Sequence, residues 1–332
     1  MTLLVGMMLT LSALVALELV LERDLLFASE CFMMPQSQTI ATYEFTFERL
    51  QQWKANWQSY TTVIQSNDTK TCSPQMVDPA KVPYLSSHRF YSTLQEMMPL
   101  APPVFTHDAM HFCDAEGESE EAGWSYCLPI TGRKDSPYCD GASRMDLLVP
   151  LTNETRCFAS AVHMLLVDVY DEFRDMHRRP VLLYGSMLGA VRDGAPIPFT
   201  EDADLGYHDM THDTATKLVE RLREKGYHMF FDAIWRVCIA PNHPLALNLY
   251  DPSVGTLNGA QQAPYVDLYM LRRENASHWY ADCTRDDRPI PNAKFEPYAR
   301  VSLNGVAMDT LADPVDFLVH EYGDGYMIPN PR

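Results

Sequence analysis

Positive charge is what this sequence has least of. Its 332 residues hold 26 Lys and Arg against 44 Asp and Glu, a formal net charge of −18. So acidic a surface repels phosphate backbones, which excludes nucleic acid as a partner held by bulk charge. A phosphorylated small molecule is not excluded, because a divalent cation can supply the missing positive charge locally. The chain also has no C-x-x-C pair. Its eight cysteines (Cys31, Cys72, Cys113, Cys127, Cys139, Cys157, Cys238, Cys283) are dispersed, which removes the zinc-ribbon and thioredoxin-like readings. There is no internal repeat. With 46% hydrophobic and 21% charged residues the composition is that of a globular protein, not of a disordered chain. The length accommodates one large catalytic domain plus something smaller.

The first 17 residues carry no charged side chain, and the apolar run from Leu3 to Leu21 is broken only by Thr10, Ser12 and Glu18. At about 1.5 Å per residue such a run just spans a ~30 Å hydrocarbon core. No Lys or Arg precedes it and no small-x-small cleavage site follows, so residues 1–26 read as a signal anchor in preference to a cleaved signal peptide. Four of the cysteines fall between 113 and 157, where apolar periodicity is weak and disulfides are expected to organise the chain. N-x-S/T sequons stand at Asn67, Asn153 and Asn275. Together these features favour a lumenal or secreted protein.

Residues 27–150 read as a stem and irregular subdomain, with one amphipathic helix over Phe45 to Tyr60, frequent prolines, and a solvated acidic run from Asp114 to Glu121. From 151 to 332 the texture is that of a regular domain. Phe158, Ala161, Val162, Leu165, Leu166, Val169, Phe173 and Met176 recur at helical spacing, predicting a helix of about six turns from Thr152 with one apolar face. A strand over Val181–Tyr184, a helix over Met187–Arg192, and another over Asp213–Lys225 ended by Gly226 follow. Further strands are expected over Tyr227–Phe231, Ile234–Ala240 and Tyr265–Leu271. Strands alternating with helices give an α/β (α+β) domain.

The chemistry is concentrated in two stretches. Asp202 and Asp204 alternate in a strand, so their side chains leave the same face about 7 Å apart. Mg²⁺ or Mn²⁺ resolves their repulsion, since hard cations take carboxylate and phosphate oxygens together. Gly185 and Ser186 sit where a strand turns into a helix, whose first N–H groups suit a phosphate. Asp267, inside the apolar strand Pro264–Leu271, is costly to bury unless it binds a metal or a donor. A D-x-D pair alone is usually a solvated strand end. The ordered set of Gly-Ser, then D-x-D, then a strand-borne aspartate is far more specific, and matches the nucleotidyltransferase layout.

The segment Tyr184-Gly-Ser-Met-Leu-Gly-Ala-Val-Arg-Asp-Gly-Ala-Pro-Ile-Pro-Phe-Thr-Glu-Asp-Ala-Asp-Leu-Gly206 resembles the signature of the LicD/fukutin/fukutin-related protein family. Val266-Asp267-Leu268 resembles its later aspartate strand, and Pro314 to Gly323 its P-x-x-x-x-L-x-x-x-Y-G ending. The likeness runs from about 155 to 332. Asp193 replaces the signature's histidine, Phe199 its tryptophan, and Thr200-Glu201 its acidic pair.

The resemblance implies a nucleotidyltransferase-like mixed sheet flanked by helices. It also implies transfer of a phospho-alcohol, such as phosphocholine or ribitol phosphate, from a CDP-linked donor to a glycan hydroxyl. Two divalent ions on Asp202, Asp204 and Asp267 would serve an in-line displacement. Gly185 and Ser186 would hold a phosphate, and Glu201 would be a further ligand or support one. Arg192 would reach a phosphate or complement the helix dipole. The expected setting is a type II Golgi membrane protein with a lumenal catalytic part.

Two other functions are open at this stage: a D-x-D glycosyltransferase using a nucleotide sugar, and a non-catalytic glycan-binding module of the same fold. A zinc site on His107, His111 and Cys113 has plausible spacing but lies among cysteines expected to pair. His208 and His212 fit a loop or helix cap. Trp235, Tyr250, Tyr265, Tyr269 and Trp279 read as core more readily than as a base-stacking platform.

Overall fold

A computed structural model describes residues 64–65, 71–85, 87–97, 101–113, 120–149, 151–208, 210–254 and 263–330. The segment read as an anchor, the helix over Phe45 to Tyr60 and most of the acidic run lie outside them. Among the described residues no helix is long and apolar enough to cross a membrane.

Strands β1 (Ile64–Gln65) and β2 (Thr71–Ser73), helix α1 (Arg89–Glu96) and strand β3 (Phe105–Thr106) come first. Short 3₁₀ stretches follow at His107–Cys113, Glu120–Tyr126 and Arg144–Leu148. Helix α2 (Phe158–Asp175), β4 (Val181–Leu182), α3 (Tyr184–Arg192), β5 (Asp202–Tyr207) and α4 (His212–Arg223) follow. Next are the hairpin β6 (Tyr227–Asp232) and β7 (Ile234–Ile239), α5 (Ala246–Leu249), β8 (Tyr265–Arg273) and β9 (His278–Ala281). The chain closes with β10 (Ile290–Pro291), α6 (Asn292–Phe295), β11 (Ala299–Leu303), β12 (Val306–Thr310) and α7 (Pro314–Tyr322).

The main sheet is mixed, as expected, with helices against it. Its strand order is β10-β9-β8-β5-β4-β12-β11, and the β6–β7 hairpin joins through β8. The branching follows from the length of β8: its first half pairs with β7 and its last three residues with β9. β5 and β8 run parallel, while β4 and β5 are antiparallel.

Helix α2 begins at Phe158, not at Thr152, and is about five turns long. Cys157 precedes it in extended conformation, bonded to Cys139 and bridged through its backbone to Arg133, which holds the chain out of helix up to that point. Nor does α2 have a single buried face. Ser160, His163, Asp168 and Glu172 are buried with its apolar residues. The chain before 150 covers that polar side: Ser160 donates to Asp146 at 2.9 Å, and the Tyr91 hydroxyl donates to Asp168, as Tyr227 does from β6.

The described part of the stem region shares one core with the later domain, contributing Phe90, Tyr91, Leu94, Phe105, Phe112 and Leu147. Disulfides Cys72–Cys113, Cys127–Cys238 and Cys139–Cys157 fasten it. Cys113 therefore cannot ligate zinc, and the His111 ring bonds the carbonyls of Asp108 and Ser125.

Candidate metal centre

Strand register brings the three aspartates together. Asp204 lies opposite Asp267 across the β5–β8 pair, and Asp267 lies opposite Arg236 across β7–β8, so all three side chains share one face of the sheet. Asp202 leaves the same face two residues earlier. One carboxylate oxygen from each of Asp202, Asp204 and Asp267 lies within 4.8 Å of the others. Oxygens sharing one divalent ion sit about 4–5 Å apart at most, given metal–oxygen bonds of ~2.0–2.6 Å. Three hard anionic donors at that spacing fit Mg²⁺ or Mn²⁺.

Each carboxylate is fixed by its own partners. Thr200 Oγ1 donates to Asp202 Oδ1 at 2.9 Å. Asp204, 5% exposed, accepts from the Ser186 N–H at 3.2 Å and from the Gly185 N–H. Ser186 Oγ in turn accepts from the Asp204 N–H at 2.8 Å. The Gly-Ser turn thus seats Asp204, and a Cβ on Gly185 would come within 3.2 Å of Asp204 Oδ2. Tyr184, at the elbow entering α3, holds a left-handed φ of 38°. Its ring packs on Tyr269 at 4.7 Å and on Phe317 at 5.4 Å, and its hydroxyl donates to the Asp282 carbonyl. Phe317 belongs to α7, which gives the C-terminal motif a role in holding that elbow.

Burial pushes all three carboxyl groups up. Asp204 is raised well above the ordinary value, first by burial and then by the charges of Asp202 and Asp267. Asp202 is raised chiefly by burial. Asp267 is raised to about 6 by burial, with Arg236 opposing the shift. A cation placed among crowded buried carboxylates of this kind favours their ionised forms.

Arg236 is the functional residue that reading the sequence missed. Its Nε donates to Asp267 Oδ1 at 2.8 Å, and its Nη1 donates to the Asp232 carbonyl at 2.5 Å and to Asp232 Oδ2 at 2.7 Å. Trp124 covers the guanidinium at 5.2 Å and donates through Nε1 to Asp232 at 2.8 Å. The available signal was a lone charge inside the apolar strand Ile-Trp-Arg-Val-Cys-Ile. Breaking a buried pair by removing one partner costs about 3–5 kcal/mol. Arg236→Met is therefore expected to lose roughly that much stability at neutral pH with chelator present. The loss should shrink near pH 5, where Asp267 is protonated in the fold. Urea unfolding at the two pH values checks this, and an equal loss at both contradicts it.

The remaining sequence candidates, Tyr269 excepted, stand elsewhere. Arg192 lies at the far end of α3, ~9 Å along the axis from Ser186, with its Nε on Asp193 at 2.8 Å. That is the helix-end position, not a place in the carboxylate cluster. Glu201 is outside the three-aspartate group and bonds Lys134. His208 packs edge-on to Trp279, and His212 opens α4. Trp235, Tyr250, Tyr265, Tyr269 and Trp279 all have ring partners within the fold, the core reading, but Tyr269 also stands at the site, its hydroxyl donating to Asp267 Oδ2 at 3.3 Å.

Residues 178–310 match the family described as LicD/FKTN/FKRP, nucleotidyltransferase domain. No curated protein matches the chain at a significant level.

Proposed function

Residues 178–310 place the chain in the LicD/FKTN/FKRP family, a family of transferases, and on that premise we propose a specific reaction for it. The protein is a divalent-cation-dependent transferase that moves a phospho-linked alcohol from a CDP-type donor to a glycan hydroxyl. The observation that carries this reading is the convergence of Asp202, Asp204 and Asp267 within 4.8 Å, beside the first turn of α3. Bound there, Mg²⁺ or Mn²⁺ would offset the charge of the donor diphosphate and of the oxygens between which the phosphoryl group passes.

The chain's own residues prepare the site. The Gly185 and Ser186 amides hold one oxygen of Asp204, Thr200 holds one of Asp202, and Arg236 holds Oδ1 of Asp267. Each carboxylate is thereby orientated before any ligand arrives, which lowers the cost of binding. The 5% exposure of Asp204 and 6% of Asp267 keep the field of the site strong.

A lumenal setting is part of the proposal. Three disulfides among the described residues suit an oxidising compartment, and Asn275 of one sequon lies exposed next to β9. Residues 1–26 would supply the Golgi anchor.

The test is a screen of the purified protein with CDP-ribitol, CDP-choline and nucleotide sugars, with Mg²⁺ or Mn²⁺ and with chelator. A phosphodiester in the product, seen by ³¹P NMR and lost with chelator, is the expected result. A simple glycoside formed from a nucleotide sugar would replace this reading with that of a glycosyltransferase.

A further inference from the structure

We propose that Lys134, from the segment ahead of the matched domain, is a donor-binding residue of the same site. Glu201 holds it in reserve until a nucleoside diphosphate arrives. The inference rests on the transferase reading and deepens it by naming a cation that recognises the donor.

The backbone at Lys134 is fixed. The Arg133 N–H donates to the Arg156 carbonyl at 2.7 Å, and the Phe158 N–H donates to the Arg133 carbonyl at 2.9 Å. At Gly132 a Cβ would stand 2.8 Å from the Arg156 carbonyl oxygen and 2.9 Å from the Phe158 nitrogen, so only glycine permits this approach. Arg156, 1% exposed, binds the carbonyls of Thr131, Asn248 and Leu249 and so clamps the segment from beneath. The Cys139–Cys157 disulfide closes the loop that follows.

The side chain is fixed less firmly than its backbone. Its ammonium lies over the Phe158 ring at 4.5 Å and reaches Glu201 Oε1 at 2.5 Å. The Lys134 and Glu201 side chains are 33% and 37% exposed. Ion pairs this accessible are worth about 0–1 kcal/mol, so a more highly charged partner displaces one readily.

Glu201 immediately precedes Asp202 in the chain. A diphosphate approaching the aspartates therefore meets a fourth carboxylate. Lys134 cancels that charge when paired and can bond the phosphate when exchanged. Arg236, by contrast, is tied to Asp232 and Asp267, and Arg192 lies down the helix.

A structural surface pair and a reserve cation predict different signs. If the pair only braces the surface, Lys134→Met and Glu201→Gln should act in the same direction. If Lys134 serves the donor, Lys134→Met should weaken binding of CDP in the presence of Mn²⁺ about five- to tenfold. Lys134→Arg should retain most of the affinity, and Glu201→Gln should tighten it about two- to threefold.

Calorimetric titration of the full chain and the three variants with CDP and Mn²⁺ reads all of these. Equal CDP affinity in all four, or a same-direction shift in Lys134→Met and Glu201→Gln, overturns the inference alone. Failure of the wild type to bind CDP with Mn²⁺ overturns the transferase reading, and this inference with it.

Discussion

Replacing Asp204 with Asn is expected to remove turnover by about a thousandfold or more while making the cation-free protein more stable. The two effects have one cause. Asp204 is the most enclosed of the three aspartates, its oxygen held by the Ser186 and Gly185 amides and its charge opposed by Asp202 and Asp267. An asparagine keeps an oxygen for those amides and turns an NH₂ toward the neighbouring carboxylates, converting repulsion into hydrogen bonding.

The fold gains while the site loses an anionic oxygen. Charge stabilisation by a bound ion is worth several kcal/mol, and each 1.36 kcal/mol is tenfold in rate, which gives the thousandfold figure. A stability gain of about 1–2 kcal/mol should appear as a rise of a few degrees in melting temperature. The measurements are turnover with Mn²⁺ and thermal melting in chelator. A variant with wild-type turnover sinks the assignment, as does one that melts lower than wild type in chelator.

The individual partners of the site were legible in the sequence, but its closure was not. Alternation placed Asp202 and Asp204 on one face, and the apolar run around Asp267 marked a buried carboxylate. Nothing in the spacing stated that β5 and β8, some 60 residues apart, pair in parallel with Asp204 facing Asp267. That register is a long-range choice made by the whole sheet. The same is true of Arg236, which reads as one more residue of a hairpin until β7 is laid against β8.

Local signals did well where local physics decides: the β6–β7 strands fall within a residue of the predicted bounds, and Gly226 takes a left-handed φ of 85°, although α4 itself stops at Arg223, two residues before the expected Lys225. They failed at the start of α2, where a disulfide and a bridge to Arg133 override helix propensity. They say little about the described chain before 150. That chain adds isolated aromatics, such as Phe90 and Phe105, to a core built by other elements, so it carries no period of its own. Lys134 was overlooked for the same reason.

The stability conferred by a divalent cation should itself depend steeply on pH. Asp267 ionises in the fold only near 6, against an ordinary 3.8, and Asp204 later than its ordinary value. Groups raised in this way keep their protons in the folded state after the unfolded chain has released them, so their contribution to stability is present at low pH. It is lost as pH rises through the folded values. For Asp267 alone, two units amount to about 3 kcal/mol.

A cation bound as proposed would offset that loss but would have to displace the protons, so its apparent affinity should fall about tenfold per pH unit for each proton displaced. His163, His228 and His243 are buried and neutral, each lowered to about 3, and acidification below their ordinary 6.5 destabilises the protein whether or not a cation is present. The quantity to read is therefore the difference in melting temperature with and without Mn²⁺. At a cation concentration of 100 Kd near neutral pH the gain is about 2.7 kcal/mol. It should fade as pH falls through about 6, where Asp267 takes up its proton. In Asp204→Asn it should be small throughout. A cation-induced shift of equal size at pH 5 and pH 7.5 would place the ion somewhere other than these three carboxylates.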